Sequence, residues 1–447
     1  MLTVAYLANQ FPSAVEPYVA DEIVELRRRG VRVIAGSVKR NSRKGGNPLD
    51  LTLFPISIFV MARAVWLCIR RGKRLVPVIA RIVLRGREGA WQRLKALVHT
   101  FLGACYAVQL AEQQSAPIDH IHVHHGYFGS WVGMTAAKLL GIPWSMTLHG
   151  SDLLLHGAWL DYKFSDCAFC FTVSEYNRRY ILERYRGIDP RKILVARLGV
   201  DLPSAAIRAA PLATNGDRRF TLLAVGRLHA VKDHAFLVHA CARLAARGIP
   251  LHCLIAGEGP ERRNLEHLIR DCGAGERVIL LGHVPREQMS SLYDRADVVV
   301  LTSRSEGIPL VLMEAMARGK IVLAPAITGI PELVVANQTG FLYKPGSMDD
   351  FIERVRQIRA LMLADGSRSR PNFYVPSAAC VLGCMSHAAQ VQVRHNFNRK
   401  TNLKVFTDLF LQRVAGGSEA ASEVTFDESS VLQQIQLCVQ RDGSLSV

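Results

Sequence analysis

Thr302-Ser303-Arg304-Ser305-Glu306-Gly307-Ile308-Pro309-Leu310-Val311-Leu312-Met313-Glu314-Ala315-Met316-Ala317 decides how the rest of this chain is read. An apolar, β-branched run, Val298 to Leu301, precedes it and predicts a buried strand. Gly307 permits a tight turn, and Pro309 suits the first turn of a helix. Glu306 is therefore expected on the loop at the strand's C-terminal end, and Glu314 on the helix that follows. In an open α/β sheet that end of a strand is where ligands bind. Amides at a helix start favour an anion, while the two glutamates offer acceptors to hydroxyls. Phosphate and polyol together point to a sugar nucleotide. A solvated surface pair fits less well, because Glu314 lies within the apolar helix Leu310 to Ala317, where an unpaired carboxylate is costly.

Bulk properties narrow the classes further. A chain of 447 residues exceeds one ordinary core, so two domains are expected. With 49% hydrophobic and 21% charged residues it is globular rather than disordered. The formal net charge of +17 calls for an anionic partner: a nucleotide, a phosphate-rich lipid surface or a nucleic acid. No nucleic-acid recognition motif accompanies the charge, so nucleic acid is not an expected partner. The ten cysteines are scattered, and the one C-x-x-C, Cys167 and Cys170, lacks a second pair at zinc-finger distance. Buried free thiols in a reducing cytoplasm are the expectation. Leu2 to Ala8 reads as a first strand with no basic segment ahead of it, so no secretory signal is expected. Leu51 to Leu84 is strongly apolar but interrupted by Pro55, Arg63, Arg70, Arg71, Lys73 and Arg74. A membrane span would set Arg63 deep in lipid at a cost of several kcal/mol. Apolar residues interleaved with Arg and Lys suit a helix lying in a membrane surface, and plain core helices are the competing reading.

Strands and helices alternate along the chain. Strands are expected at Leu2 to Ala8, Val31 to Val38, Ile118 to His124, Pro143 to Leu148, Ala168 to Val173 and Lys192 to Ala196. Helices are expected from about Tyr18 to Gly30, through most of 51–116, and over Trp131 to Leu140. Asp201 to Asp217, rich in Ala and Pro with an Asn-Gly, reads as a linker. A second series starts at Phe220 to Val225 and continues through strands at 251–256, Val278 to Leu281, 297–301 and Ile321 to Ala324, with helices between them. This alternation predicts an α/β protein of two doubly wound parallel sheets.

Several segments resemble one family. Ser305-Glu306-Gly307-Ile308-Pro309 through Glu314-Ala315-Met316-Ala317 resembles the E-x7-E signature of the retaining glycosyltransferases of family 4 (GT4). Gly226-Arg227-Leu228 followed by Lys232-Asp233 resembles that family's G-R-L…K-G/D motif, with Asp233 where glycine is common. Gly257-Glu258-Gly259-Pro260 is similar to its G-x-G-P turn, whose glycines serve the turn itself, and Gly282-His283-Val284 to a segment that meets the nucleotide base. In the first half, Thr147-Leu148-His149-Gly150-Ser151-Asp152 resembles the acceptor-side T-x-H-G-x-D motif. The run His120, His122, His124 and His125 resembles I-H-x-H-x-G, a segment of the family that binds no metal. Thr172-Val173-Ser174-Glu175 and Arg197-Leu198-Gly199-Val200-Asp201 also match. Phe11 to Pro17, with Glu16, resembles the loop of exopolysaccharide-type members, without the double glycine of many relatives.

The resemblance implies the GT-B fold: two Rossmann-like domains facing each other across a cleft. The expected division is 1–205, an acceptor-side domain, and 206–390, a donor-binding domain with an atypical insert at 365–390. A helix at 391–414 is expected to return to the first domain, and 415–447 reads as a disordered tail. In the insert, Pro371, Pro376, Cys380, Gly383 and Cys384 are expected to break a helix. The implied function is transfer of a sugar from a nucleotide-sugar co-substrate to a saccharide, or a polyprenyl-diphosphate-linked saccharide, in cell-surface polysaccharide synthesis. The implied site places Glu306, His149, Arg227 and Lys232 at the reacting centre. Glu314, Gly307, Ile308, Pro309, Leu310, Val311, Gly226 and His283 would bind donor, and Asp152 and Glu16 would lie on the acceptor side. No metal and no other cofactor are expected, because Arg227, Lys232 and helix amides meet the diphosphate charge. The expected location is the cytoplasm, with peripheral contact to an anionic inner membrane face. A sugar-nucleotide epimerase and a catalytically silent sugar-nucleotide-binding scaffold are the competing readings.

Overall fold

A computed structural model describes residues 1–13, 16–39, 50–84, 88–112, 117–155, 157–203, 220–366 and 378–416. The expectations for Ala14 and Val15, Pro371 and Pro376, most of the linker, and the tail beyond Gly416 lie outside these residues, as do Arg85 and Arg87. By internal contacts the chain divides into two units. One holds Met1–Arg197 with the described residues from Leu403 onward, the other Leu198–Asn402.

The first unit is built on β1 (Thr3–Gln10), β2 (Arg32–Lys39), β3 (Leu51–Thr52), β4 (His120–His124), β5 (Trp144–Leu148), β6 (Phe169–Thr172) and β7 (Ile193–Val195). All neighbours pair in parallel, in the order β3-β2-β1-β4-β5-β6-β7. Val4, Ala5, Tyr6 and Leu7 are buried on both faces of the sheet, as a parallel sheet covered by helices requires. The order reverses between β1 and β4, and the loops after them form the switch point. The helix Arg399–Val414 lies on this unit through Phe406 and Phe410, whose rings meet Phe171 and Phe169 at 4.8 and 5.9 Å.

The second unit repeats the plan with β8 (Phe220–Val225), β9 (Leu251–Ala256), β10 (Val278–Gly282), β11 (Val298–Val300), β12 (Ile321–Pro325) and β13 (Phe341–Tyr343). These strands are parallel, in the order β10-β9-β8-β11-β12-β13, so the switch point falls between β8 and β11.

Two local expectations are corrected. The region 51–116 is not helical from its start, because Leu51 and Thr52 pair with Gly36 and Ser37 as an edge strand. From residue 378 the insert lies on a continuous helix, Ala378–Asn396, that passes Gly383 and Cys384 unbroken. Glycine costs a helix about 1 kcal/mol, but Leu382, Met385, Ala389 and Val393 bury their side chains in the second unit. Ser386 Oγ also donates to the Gly319 carbonyl at 2.7 Å. Packing overrides the local preference.

After β3 come the helices Ile58–Arg70, Val76–Val83 and Ala90–Glu112. Ala90–Glu112 is, among the described residues, long and apolar enough to cross a membrane, yet half of its apolar window is buried in the unit. Its second half packs on the helix Phe128–Leu140, where Trp131 Nε1 donates to Thr100 Oγ1 at 2.9 Å. Gly103 allows this approach, since a Cβ there would come within 2.6 Å of the Thr135 Cβ. The first half is different, leaving Trp91, Leu94, Leu97 and Val98 exposed.

Candidate active site

Glu306 stands on the loop after β11, and Glu314 on the helix Leu310–Ala317. Pro309 occupies the position before this helix with extended backbone angles, and the amides of the first turn, at Leu310 and Val311, point out of its start. Gly226, Arg227 and Lys232 stand on the loop after β8, so both charged loops flank the switch point of the second sheet. Lys232 Nζ donates to Glu306 Oε1 at 2.6 Å, with their side chains 21% and 11% exposed. The loops are stitched together beneath this pair. Thr302 Oγ1 donates to the Lys232 carbonyl at 2.9 Å, and the Arg304 amide to that of Val231 at 2.8 Å. Arg227 is exposed beside them.

Asp233 takes the left-handed conformation, φ +50° and ψ +44°, which explains why glycine suits this place in the motif. Aspartate tolerates that region better than most residues, and its carboxylate accepts from Arg304 Nε at 2.7 Å. The Gly257-Glu258-Gly259-Pro260 turn serves contact between loops. A Cβ on Gly257 would come within 1.9 Å of the Gly226 carbonyl oxygen, and one on Gly259 within 2.3 Å of that of Leu228. Gly307 and buried Ile308 face Gly329 in the same manner, a Cβ on Gly329 meeting the Gly307 carbonyl oxygen at 2.3 Å.

Glu314 is not left unpaired. Its Oε2 accepts from the Tyr293 hydroxyl at 2.7 Å, and Arg318 lies over the Tyr293 ring at 5.6 Å. Burial first, then the Glu314 carboxylate, pushes the Tyr293 phenol well above its usual range, so it acts as a fixed donor. His283, exposed, follows the end of β10.

In the first unit the motif residues hold one another. Asp152 is fully buried and accepts from the amides of Gly126, His149 and Gly150 at 2.9, 3.1 and 2.8 Å. His125 reaches Glu16 at 2.9 Å and Asp152 at 3.5 Å. Burial opposes charge on His125, but Asp152 and Glu16 outweigh it and push this imidazole up to about 10. Asp152 is held below the usual carboxylate range: burial works against this, and the His125 contact prevails. His149 turns Nε2 inward onto His124 Nδ1 at 3.3 Å, while its Nδ1 is buried without a partner among the described residues. Burial, then the charges of His125 and His124, holds His149 well below its normal value. Neither ring nitrogen points outward in this rotamer of His149, the residue that the resemblance places at the reacting centre.

Glu22, His122 and His124 bring one donor atom each within 4.8 Å of one another. Every one of those ring nitrogens already has a hydrogen-bond partner. His122 is taken by Ser145 Oγ and Thr147 Oγ1 at 2.7 and 3.0 Å, and His124 by Glu22 and His149 at 3.0 and 3.3 Å. His120 likewise meets Ser145 Oγ at 2.7 Å. His120 and His122 bind the hydroxyls of the neighbouring strand beneath Phe406 and Phe410.

Sequence reasoning missed His125 as the ionic centre of the first unit, and it missed Glu22, Lys163 and Tyr293. His125 has a local signal: it ends a strand and precedes a glycine. The others sit on helices with no motif around them, and only the packing of those helices brings them in.

Two family models match the chain: Glycosyltransferase Family 4 over residues 15–203 and Glycosyl transferases group 1 over 211–364. A protein of Salmonella typhimurium named colanic acid biosynthesis glycosyltransferase WcaL is 35% identical over 162 residues, which are 35% of this chain and 39% of that protein. The match thus spans about two fifths of that relative's length. The 2-deoxystreptamine glucosyltransferase of Streptomyces kanamyceticus is 25% identical over 317 residues, 65% of this chain and 80% of its own. Among solved structures, sucrose-phosphate synthase of Thermosynechococcus elongatus superposes with a TM-score of 0.69 at 18% identity, covering 93% of this chain and all of its own. Anabaena HepE in complex with UDP and glucose gives 0.62 at 17%, covering 92% of this chain and all of its own.

Proposed function

Because the chain belongs to the family 4 glycosyltransferases and has the GT-B fold class, we propose that it is a retaining glycosyltransferase. It moves a sugar from a nucleotide-sugar donor to a saccharide acceptor in cell-surface polysaccharide synthesis. The observation that carries this reading is the Lys232–Glu306 pair at the switch point of the second sheet, a cation and a carboxylate 2.6 Å apart on two braced loops. Arg227 and Lys232 bind the diphosphate, with the amides at the start of Leu310–Ala317 adding to the field. As the bond from anomeric carbon to diphosphate oxygen breaks, its electron pair goes to the phosphate. The acceptor hydroxyl bonds to the same face of that carbon and gives its proton to a phosphate oxygen. Glu306 binds sugar hydroxyls and stabilises the positive charge at the anomeric carbon. Glu314, one oxygen fixed by Tyr293, offers the other to the ribose. Gly307 to Pro309 shape the donor loop, and His283 lies toward the base. No metal takes part in this scheme. Asp152 and Glu16 act through His125, and His149 meets the sugar only after its ring turns.

A screen of nucleotide sugars by thermal shift identifies the donor, since a ligand of the folded state raises its melting temperature. With that donor, Glu306→Gln is expected to lower turnover by about 10²- to 10³-fold while donor affinity stays within roughly tenfold. Half of wild-type turnover in the variant would remove Glu306 from the reacting centre. A donor that binds without releasing nucleoside diphosphate would favour the scaffold reading.

We place the enzyme at an anionic inner membrane face, where a lipid-linked acceptor is presented. Ile58, Phe59, Trp66, Ile69, Trp91 and Val98 are exposed on helices that also expose Arg63, Arg70, Lys73, Arg74 and Lys95. Each cation near such a surface contributes about 1 kcal/mol. Co-sedimentation with anionic vesicles at low salt, lost at high salt, is expected. Protein left in the supernatant at low salt would make a soluble acceptor the better reading.

A further inference from the structure

Glu306 has a second partner, on a loop that the scheme above does not use. Its carboxylate is held by Lys232, which in that scheme goes over to the diphosphate when donor binds. Another hold is then required to keep the carboxylate aimed at the anomeric carbon. It comes from residues 326–329, between β12 and the short helix Ile330–Leu333. Thr328 Oγ1 accepts from the Glu306 amide at 3.4 Å. Hydrogen bonds at a reacting centre are often long in the free enzyme and tighten in the complex.

The backbone of Thr328 is in the wrong place for its side chain. Its φ is +45°, and among the described residues it is the one β-branched residue with positive φ. Aspartate and asparagine, as at Asp233 and Asn337, tolerate this region, and glycine suits it best. For a β-branched residue it is an outlier. Such strain persists only where surrounding structure holds it, and it gathers at functional sites.

The holding is visible on both sides of the loop. Behind it, the Ala326 amide donates to the Tyr343 carbonyl at 2.9 Å and the Ile330 amide to that of Ile327 at 3.0 Å, with Ile330 and Leu333 fully buried. In front, Gly329 lies against the Glu306 loop. A Cβ there would meet Ile308 Cγ1 at 3.0 Å as well as the Gly307 carbonyl oxygen. The Thr328 hydroxyl is therefore carried to the Glu306 amide on a braced support. A turn alone is better made by glycine, and branched bulk alone is supplied by valine. Threonine adds the acceptor oxygen.

We infer that Thr328 is a positioning residue for the transfer step: it holds the Glu306 backbone while Lys232 is engaged by the diphosphate. This rests on the transferase reading above. The contact is made to the backbone of the residue that meets developing charge, so its loss falls on turnover and spares nucleotide affinity.

Steady-state kinetics on the full chain with the identified donor tests this, alongside calorimetry with the nucleoside diphosphate. Thr328→Val keeps the branched shape, and Thr328→Gly relieves the backbone; both remove the hydroxyl. They disturb the backbone in opposite directions, so a fall common to both belongs to the hydroxyl. Each is expected to lower kcat by about 10- to 100-fold, with nucleoside diphosphate affinity within about threefold of wild type. Thr328→Ser keeps the acceptor and is expected to stay within about threefold of wild type in kcat. Wild-type turnover in Thr328→Gly would reduce the position to a turn and overturn the inference. So would a Thr328→Ser variant as slow as Thr328→Val, or a loss of nucleotide affinity equal to the loss of kcat. An active wild-type chain with any of these results sinks the Thr328 assignment alone. A wild-type chain that binds donor and never turns it over sinks the transferase reading and this inference with it.

Discussion

At the C-terminal edge of the first sheet the titratable groups answer one another, whereas at the same edge of the second they stand partly open. Asp152 is fully buried, holds three backbone amides and faces His125, which in turn faces Glu16. Lys232 and Glu306 meet only side chain to side chain, and Arg227 is exposed beside them. Both regions come from charged residues at strand ends. One is a scaffold that fixes loops; in the function proposed above, the other exchanges its internal pair for a ligand. Residue type and position do not separate these cases. The count of backbone amides bound by each carboxylate does.

The largest effect expected from this contrast is on stability. Asp152→Asn removes the anion from a buried network and leaves the His125 charge underpaired, a loss of about 3–5 kcal/mol. Denaturant unfolding measures it, and nucleoside diphosphate affinity should hardly change. The sign with pH follows from the shifts. Asp152 lies below its unfolded value, so its contribution is present above about pH 4 and lost as pH falls through the folded value. His125 is raised, so its contribution is complete below about pH 6.5 and lost as pH rises through about 10. The cost of the substitution should therefore be largest between about pH 4 and pH 6.5 and fall on either side. A loss under about 1 kcal/mol would mean that Asp152 behaves like a surface charge.

Lys232→Ala probes the open site and should act the other way, on ligand rather than on fold. A charged hydrogen bond contributes about 1.5–3 kcal/mol, so nucleoside diphosphate should bind roughly 10- to 100-fold more weakly. Unchanged affinity in calorimetry would show that Lys232 does not touch the phosphates, and the distinction between the two edges would fail.

The same contrast sets what was legible in the sequence. Glu306, Arg227 and Lys232 could be placed because each follows an apolar strand and a turn residue on one of two loops, and Glu314 because the helix after Pro309 is apolar. Asp233 was legible as a departure from glycine, and its positive φ supplies the reason. The first edge was harder. Glu22 reaches His124 across 102 positions, and Lys163 reaches Gly126 across 37, so no window of sequence contains either contact. His149 could be found by its motif, but the contact that turns its ring inward is with His124, 25 positions away, and no local pattern carries it. The edge strand Leu51–Thr52 has only two residues, too short for a periodic signal. In Ala378–Asn396, burial of four side chains outweighs a glycine that the local pattern reads as a break.

The central claim is that the open edge supports transfer with retention, the acceptor attacking the face from which the diphosphate leaves. Proton NMR of the first product formed with the identified donor tests this most directly, through the coupling at the anomeric carbon of the new linkage. The account predicts the donor's own anomeric configuration in that product, and an inverted configuration would contradict it.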